Sequence, residues 1–323
     1  MNVLVTGAAG FIGSQVVSAL LGRGELGGRP IRRLILADAA PRRPPPAPAS
    51  IALRTETGDI ADGRFAHALV REGVDAVFAL AATLTSDAEA DFGKGLRVNV
   101  LALIQLLELL RTLDQPPARF VFPSSIATFG GTLPGTVEDD VLQRPQTSYG
   151  AHKAIAEHLI NDYTRKGFID GRALRLPVVI VRPGPPSQVV SDRVAALIRE
   201  PLLGHDVACP FRPESRMPVA SVRRVADALL RLHDLPGDAF GDTRAMNLPS
   251  LSVTVGEIVE SVQRVGAGRR LGRVTYAPEA RLQAIMDGWP DRFVSARATA
   301  HGIGADASID EIVRDFMATL PPA

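Results

Sequence analysis

The 323-residue sequence predicts an α/β fold in which helices cover both faces of a doubly wound parallel sheet, followed by a smaller C-terminal domain. Short β-rich apolar runs alternate with helical patterns through the first 183 residues. Such alternation is typical of parallel strands joined by right-handed helical crossovers. After Pro183 the segment PGPP interrupts the pattern, and the later elements are shorter. This break indicates a change of domain.

The first part of the chain contains six predicted strands, at residues 2–7, 31–38, 51–60, 75–82, 118–125 and 172–181. Helices are predicted within residues 14–24, 63–73, 88–113 and 148–166. The helix within 88–113 has leucines at helical spacing (Leu103, Leu106, Leu107 and Leu110). Residues 41–50 are too rich in proline for either element, and we expect a surface loop there.

The second part of the chain has a different pattern. Helices are predicted over 221–234, 254–266 and 308–319, and a strand over 244–249. We expect residues 1–183 to form the main domain, with elements around 215–249 returning to it. Residues 184–323 would then form mainly the smaller domain.

Composition excludes several classes of protein. The apolar fraction of 46% and the charged fraction of 22% are those of an ordinary globular protein. A net charge of +1 gives no field that would attract nucleic acid or a membrane. Cys209 is the single cysteine, which excludes an internal disulfide framework. The sequence has neither a long apolar run nor a signal-peptide pattern, so we expect a cytoplasmic protein without a membrane span.

The segment TGAAGFIG (6–13) follows the first predicted strand and opens the first helix. Its glycines, Gly7, Gly10 and Gly13, have the spacing G-x-x-G-x-x-G. In a Rossmann turn such glycines permit the tight turn, let the backbone approach a pyrophosphate, and allow the helix to pack closely on the strand. The helix N-terminus adds N–H groups and the positive end of its dipole. We therefore predict a dinucleotide site at this turn.

Acidic residues end the next two predicted strands. Asp38 lies 38 − 13 = 25 residues beyond Gly13. An acid there can accept both ribose hydroxyls and repel a 2′-phosphate, which favours NAD over NADP. Arg42 and Arg43 either serve a 2′-phosphate or are solvated loop charges. Asp59 either meets the adenine amino group or caps a turn.

A tyrosine and a lysine lie four positions apart in TSYGAHKAI (147–155). Tyr149 and Lys153 are therefore predicted to share one face at the start of a helix. A free phenol titrates near pH ~10, and an adjacent ammonium is expected to lower its pKa toward a value suited to proton transfer. Ser125 ends the fifth predicted strand, where its hydroxyl can hydrogen-bond a reacting oxygen. Together these residues predict a proton-transfer site beside the dinucleotide.

Other kinds of site have weaker support. The sequence contains no H-x-x-x-H pattern, and His152 and His158, six apart, do not share a helical face. We expect His152 to be exposed rather than catalytic. Ser124 has the residue type of a serine nucleophile, but no nucleophile-elbow pattern surrounds it. We predict no metal site.

Six motifs, TGAAGFIG, GDI, VFALAA, RVNV, FPSSIATFG and SYGAHK, occur in the order found in the extended short-chain dehydrogenases/reductases, the sugar epimerase/dehydratase group. This resemblance covers at least residues 1–184. It implies a larger NAD-binding domain, a smaller substrate domain, and Ser125, Tyr149 and Lys153 as catalytic residues. Ala79 stands where the family usually has a histidine, a structural position.

The resemblance and the places of residues in the chain also predict further site residues. The resemblance implies cofactor contacts from Gly7, Gly10, Phe11, Ile12, Gly13, Asp38, Asp59, Ile60, Leu80, Ala81, Ala82, Asn99, Tyr149, Lys153 and Pro177. The substrate contacts would come from Thr83, Thr85, Ser125, Tyr149, Arg182 and Arg193. Thr83 and Thr85 can donate to sugar hydroxyls or satisfy loop backbone. Arg182 and Arg193 can bind a carboxylate or form ordinary ion pairs.

Segments in both parts of the chain resemble, within this family, dehydrogenases that act on a small sugar acid. That likeness implies oxidation of a secondary alcohol beside a carboxylate: Tyr149 takes the hydroxyl proton, Ser125 holds the oxygen, and the C2 hydride passes to nicotinamide. One alternative is a nucleotide-sugar epimerase that regenerates its NAD in each cycle. Another is a non-enzymatic NAD sensor, a type that tends to lose the tyrosine or the lysine.

The expected partner is a small sugar-acid substrate, with neither nucleic acid nor membrane. The family resemblance also implies a homodimer formed through a four-helix bundle of the helices within 88–113 and 148–166. A monomer remains an alternative, because burial within one subunit explains the same leucine stripe.

Overall fold

The computed structural model describes residues 1–41, 45–184 and 189–321. The strands are β1 (Asn2–Thr6), β2 (Glu25–Leu26), β3 (Arg29–Pro30), β4 (Arg33–Asp38), β5 (Ala52–Thr57), β6 (Ala76–Ala79), β7 (Arg119–Ser125), β8 (Thr136–Val137), β9 (Asp170–Leu176), β10 (Val178–Ile180), β11 (Val207–Cys209), β12 (Arg216–Ser221), β13 (Ala245–Asn247), β14 (Leu251–Thr254), β15 (Val274–Tyr276) and β16 (Arg292–Phe293).

The helices are α1 (Phe11–Arg23), α2 (Gly63–Val70), α3 (Thr85–Ala90), α4 (Phe92–Leu96), α5 (Ala102–Arg111), α6 (Ser148–Arg165), α7 (Val190–Leu202), α8 (Val222–Asp234), α9 (Val255–Val265), α10 (Ala280–Asp287), α11 (Ala296–Ala300) and α12 (Ile309–Met317). The predicted strand–helix alternation is confirmed. The helix predicted at 148–166 agrees with α6 to within one residue.

The main sheet has seven parallel strands in the order β13-β9-β7-β6-β1-β4-β5. The chain fills one side of β1 with β4 and β5, then crosses to β6 and continues outward, which confirms the doubly wound fold. In the register, Thr6 of β1 lies beside Ala37 of β4 and Ala79 of β6. The carboxyl ends of these strands therefore meet at one edge, next to the point where the strand order reverses, and ligands of such sheets bind there.

Helices cover the sheet through apolar stripes. The four leucines at helical spacing in α5 are all buried, and they belong to one core cluster with Val77 of β6 and Phe120 of β7. The stripe predicted from the sequence is thus the face of α5 that packs on the sheet.

The single helix predicted within 88–113 is wrong. The structure has α3, α4, a π-helical turn at Arg97–Leu101, and α5. Asp91 ends α3 with φ −136° and ψ 89°, and its side chain accepts a 2.9 Å hydrogen bond from the N–H of Lys94, which caps α4. The short polar side chain of Asp91 competes with the helical backbone here, as aspartate does at helix N-termini.

The strand predicted at 172–181 is two strands. Pro177 separates β9, which lies in the main sheet, from β10, which pairs in parallel with β12. Proline has no N–H to give to a ladder, so it cannot continue a central strand. The chain leaves one sheet and enters another at this residue.

The described residues divide into two compact units. The first contains residues 1–129, 143–175 and 226–246, and the second contains 130–142, 176–225 and 247–323. The sequence placed the boundary at residue 183 and the returning elements around 215–249; the structure puts them at 175 and 226–246. The second unit has its own core around β10, β12, α7 and α9. Among the described residues, no helix has the length and hydropathy needed to span a membrane.

Candidate active site

The turn between β1 and α1 is built from backbone at very close range. Gly7 has φ +66°, a left-handed conformation, and a Cβ placed there would lie 2.7 Å from the amide nitrogen of Ala81. A Cβ on Gly13 would lie only 2.0 Å from the carbonyl oxygen of Gly7. The N–H of Gly10 donates to that same oxygen at 3.0 Å. Side chains are excluded at Gly7 and Gly13, so α1 packs directly on the end of β1.

The start of α1 has the features of an anion-binding helix end. Gly10 is its N-cap and makes no side-chain capping bond, and the first turn contains no acidic residue. The first turn of α1 therefore has no carboxylate of its own to occupy its N–H groups. Phe11 and Ile12, the first two residues of α1, are both partly exposed. The turn fits the pyrophosphate of a dinucleotide.

Asp38 ends β4 beside this turn. One of its carboxylate oxygens accepts from the N–H of Ala9 at 2.8 Å, and the other accepts from the N–H of Ala40 at 3.0 Å. These bonds orient the carboxylate at the mouth of the glycine turn, where the sequence places a ribose contact. Arg42 and Arg43 lie outside the described residues.

Asp59 makes the local contacts of a turn residue. Its Oδ1 accepts from the N–H of Ala61 at 2.9 Å, and its Oδ2 lies 2.7 Å from Nη1 of Arg97. The hydrogen bond from Arg97 is the largest cause that lowers the pKa of Asp59. The turn-capping alternative is therefore realised, and the adenine contact stays a prediction.

Several predicted cofactor residues lie around one small cavity of about 20 Å³ at the carboxyl edge of the sheet. The predicted cofactor residues that line this cavity are Ile60, Ala81, Ala82, Asn99 and Lys153. Leu80 directly precedes Ala81 and Ala82 in the chain, and its N–H donates to the carbonyl of Thr6 at 3.2 Å. The structure thus brings together residues from the loops after β5 and β6, the π-helical turn and α6.

The start of α6 holds the phenol against the end of β7. Thr147 is the N-cap, and its hydroxyl accepts from the N–H of Gly150 at 3.0 Å. Ser125 Oγ accepts from the N–H of Ala127 at 3.1 Å, and the same hydroxyl lies close enough to the phenol of Tyr149 to lower its pKa. The serine hydroxyl and the phenol can therefore both reach one substrate oxygen.

Gly150 is a site residue that sequence reasoning missed. A Cβ at this position would lie 2.0 Å from the carbonyl oxygen of Ala127, in the 3₁₀ turn that follows β7. Only glycine lets α6 approach that turn, and the approach sets how close Tyr149 lies to Ser125. The available signal was a glycine in the first turn of a helix, directly after the tyrosine.

Lys153 is buried, with 4% of its surface exposed. Its Nζ donates to the carbonyl of Pro123 at 2.8 Å. The same nitrogen lies 4.2 Å from the centroid of the Phe122 ring and 5.6 Å from that of Tyr149. Tyr149 and Lys153 are thus on one face of α6, as predicted from their spacing.

The direction predicted for the phenol pKa is wrong. Burial raises the pKa of Tyr149 to about 12, and the hydrogen bond from Ser125 lowers it only in part. Burial also lowers the pKa of Lys153 to about 7, against the opposing charge of Glu157. Desolvation disfavours each charged form, and its size depends on packing that the sequence does not display.

His152 is buried, not exposed as predicted, with 3% of its surface accessible. Its Nδ1 lies 3.5 Å from Nδ2 of Asn99 in the π-helical turn. The Asn99 amide also bonds the backbone of Thr83, with Oδ1 accepting from its N–H at 2.9 Å and Nδ2 donating to its carbonyl at 3.3 Å. His152 therefore supports the loop after β6, and burial lowers its pKa.

The residues predicted to contact substrate are divided between the two units. Thr83 has a buried hydroxyl with no hydrogen-bond partner among the described residues, and Thr85 is partly exposed at the start of α3. Pro177, Arg182 and Arg193 belong to the second unit. Arg182 is exposed and Arg193 is partly exposed on α7. Their substrate and cofactor contacts stay predictions.

Known proteins share this architecture over almost the whole chain. Residues 3–247 match the NAD dependent epimerase/dehydratase family. The chain is 44% identical to a D-erythronate dehydrogenase from Cupriavidus necator over 98% of both chains. It is 35% identical to a D-erythronate dehydrogenase from Haemophilus influenzae, over 98% of this chain and 99% of that one.

A solved structure described as a nucleoside-diphosphate-sugar epimerase from Agrobacterium tumefaciens superposes with a TM-score of 0.92 at 34% identity, over 99% of this chain and 94% of that one. The chain belongs to the NAD-dependent epimerase/dehydratase family. It is an NAD-dependent oxidoreductase that acts on CH–OH groups, which confirms the predicted fold class, enzyme class and cofactor.

Proposed function

We propose that this enzyme oxidises the C2 hydroxyl of D-erythronate to 2-dehydro-D-erythronate. The observation that supports D-erythronate as the substrate is the 44% identity to a D-erythronate dehydrogenase over 98% of the chain. The meeting of Ser125, Tyr149 and Lys153 at the carboxyl edge of the sheet supports the chemistry.

The chain's own residues supply proton transfer and positioning. NAD, when bound, supplies the hydride acceptor. Ser125 hydrogen-bonds the C2 oxygen, and the Tyr149 phenolate takes its proton while the C2–H bond breaks and the C=O bond forms. Lys153, as an ammonium, favours the phenolate and donates toward the cofactor ribose. Arg182 and Arg193 are the candidates for the substrate carboxylate.

The test is formation of NADH by the purified protein with a panel of aldonic acids, D-erythronate among them, and with nucleotide sugars as the contrasting set. D-erythronate deuterated at C2 should deliver deuterium to the cofactor, whereas D-erythronate deuterated at C3 should not. Turnover of other aldonic acids only, or label transfer from C3, contradicts the proposal.

A nucleotide-sugar epimerase is the second candidate, because the Agrobacterium tumefaciens structure superposes so closely. Such an enzyme returns its hydride to the sugar and shows no net NADH. Epimerised nucleotide sugar, without NADH from any aldonic acid, would establish it instead.

We further propose a cytoplasmic homodimer. Leu101, at the end of the π-helical turn, and Ile155, on α6, are 52% and 43% exposed. Both lie on the helices through which the family resemblance implies a four-helix interface. Burial of these side chains in a dimer removes apolar surface from water.

Oxidation should accelerate as pH rises. The pKa of Tyr149 is about 12, so the phenol is protonated at neutral pH and the active phenolate increases tenfold per pH unit below that value. Because the pKa of Lys153 is about 7, its ammonium, which favours the phenolate, is lost above that pH. We expect kcat for oxidation to rise between about pH 5 and 7, and kcat for reduction, which needs the phenol, not to rise. Profiles measured in both directions test this; an oxidation rate that is flat or falling over this range contradicts it.

Removing the charge of Asp38 should weaken discrimination against NADP. The variant Asp38→Asn keeps an oxygen that can accept from the N–H of Ala9 but no longer repels a 2′-phosphate. We expect the ratio of kcat/KM for NADP to that for NAD to rise about tenfold, since one lost charge contact is worth about 1.4 kcal/mol. Asp59→Asn is the matched control, and an equal change in both variants would contradict a specific role for Asp38.

A further inference from the structure

A buried polar cluster lies behind the site, on the same helix as Lys153. Glu157 follows Lys153 by one turn of α6 and is 6% exposed. Its carboxylate accepts a hydrogen bond from the hydroxyl of Ser124 and another, at 2.9 Å, from Nε2 of Gln143. The Ser–Tyr–Lys chemistry does not use these groups, so the cluster needs another explanation.

Arg175 of β9 completes the cluster. Its Nε lies 3.1 Å from both carboxylate oxygens of Glu157, and its Nη2 lies 2.9 Å from one of them. The two side chains are only 7% and 5% exposed. A buried ion pair of this kind is expensive to desolvate and is weak evidence for stability alone. The position of this ion pair therefore indicates a role besides stability, which depends on the segments that it joins.

The cluster is attached to a backbone segment that lies beside both catalytic side chains on α6. Ser124 lies between Pro123, whose carbonyl accepts from Lys153 Nζ, and Ser125, whose hydroxyl lowers the pKa of Tyr149. The bond from Ser124 to Glu157 therefore ties this segment of β7 to the helix that carries Tyr149 and Lys153. Movement of β7 against α6 would break it.

The cluster also affects the protonation state of Lys153. Lys153 is buried among apolar groups, and burial favours its neutral amine, whereas the Glu157 carboxylate opposes that effect. A neutral amine would no longer favour the Tyr149 phenolate. The charge of Glu157 and its bond to Ser124 thus act on the same catalytic pair.

We propose that Glu157 is a positioning residue of this enzyme, which fixes the carboxyl end of β7 against α6 and places a buried negative charge one helical turn from Lys153. The inference rests on the proposed roles of Ser125, Tyr149 and Lys153. It is independent of which alcohol is the substrate. A merely structural ion pair between α6 and β9 would instead affect stability alone.

The direct test is the titration of Lys153 by NMR. The chain has three lysines, Lys94, Lys153 and Lys166, so protein labelled with ¹³C at the lysine Cε gives three signals, and Lys153→Met identifies the one of interest. In Glu157→Gln, which keeps the side-chain shape but not the charge, the Lys153 signal should titrate at lower pH than in the unmodified protein. Glu157→Asp should restore much of the difference.

Kinetics separate the two parts of the role. Ser124→Ala removes the tie and keeps the charge, so kcat should fall about tenfold, as for loss of about 1.4 kcal/mol, while the Lys153 titration is unchanged. Glu157→Gln should lower kcat similarly, and the rise of the oxidation profile should end at lower pH, because Lys153 then loses its proton at lower pH. KM for NAD should change less than kcat in Ser124→Ala.

Asp306→Asn is the matched control, since Asp306 is a buried carboxylate, 3% exposed, that accepts from the hydroxyl of Ser221 at 2.6 Å in the second unit. It should lower the melting temperature without altering the Lys153 titration. The proposal is overturned if Glu157→Gln lowers the melting temperature alone, or if Ser124→Ala leaves kcat unchanged; the second outcome decides when Glu157→Gln does not fold. The NMR arm needs no substrate, so its result stands even if D-erythronate is not oxidised.

Discussion

Replacement of Tyr149 by phenylalanine is expected to lower kcat for oxidation by about 10²–10⁴-fold, the usual contribution of a positioned acid–base group. The substitution removes the phenolic hydroxyl beside Ser125 and leaves the ring that packs near Lys153. Because the ring is kept, KM and the affinity for NAD should change little. Steady-state kinetics and calorimetric titration with NAD measure the two effects separately.

The same helix provides a control. Tyr163 is a partly buried tyrosine of α6 whose hydroxyl is bonded to Glu108. Tyr163→Phe should leave kcat unchanged and cost about 1 kcal/mol of stability, the net value of one hydrogen bond. Similar kcat losses in both variants would mean that Tyr149 acts only through the fold, and the proposed proton transfer would be abandoned.

Gly13→Ala is expected to destabilise the protein by about 3 kcal/mol or more and to abolish measurable NAD binding. A Cβ there would lie 2.0 Å from the carbonyl oxygen of Gly7, which is backbone and cannot move aside without displacing α1 from β1. Losses of this size are typical of overpacking at a close contact. Denaturant unfolding and calorimetric titration with NAD measure them.

Gly22 is the matched control for Gly13. It lies in the same helix, and a Cβ there would have no atom within 4 Å. Gly22→Ala should be neutral or stabilising by about 0.5–1 kcal/mol, as alanine has the higher helix propensity. If Gly13→Ala is tolerated as well as Gly22→Ala, the glycine turn is looser than the structure indicates.

The parts of the fold that could be predicted are those that local patterns determine. The bounds of α6 followed from a helical pattern over 148–166, and the glycine turn followed from its spacing after a strand. Because parallel strands end at one edge, Asp38 and Ser125 could be placed at the same edge of the sheet before any coordinates were known.

The remaining features depend on contacts between distant segments. Buried His152 contacts Asn99, which lies in a π-helical turn 53 residues earlier, and no local pattern reveals that contact. The change of sheet at Pro177 needs β12 as a partner for β10. The upward shift of the Tyr149 pKa comes from desolvation, which only the packed structure shows.

The approach of Gly150 to the carbonyl of Ala127 has a consequence for how tolerant the enzyme is to change. Backbone atoms are in contact there, so the distance between α6 and the turn after β7 is set by backbone sterics instead of by interdigitated side chains. Repacking the apolar side of the helix should therefore alter melting behaviour long before it alters the distance over which the proton travels.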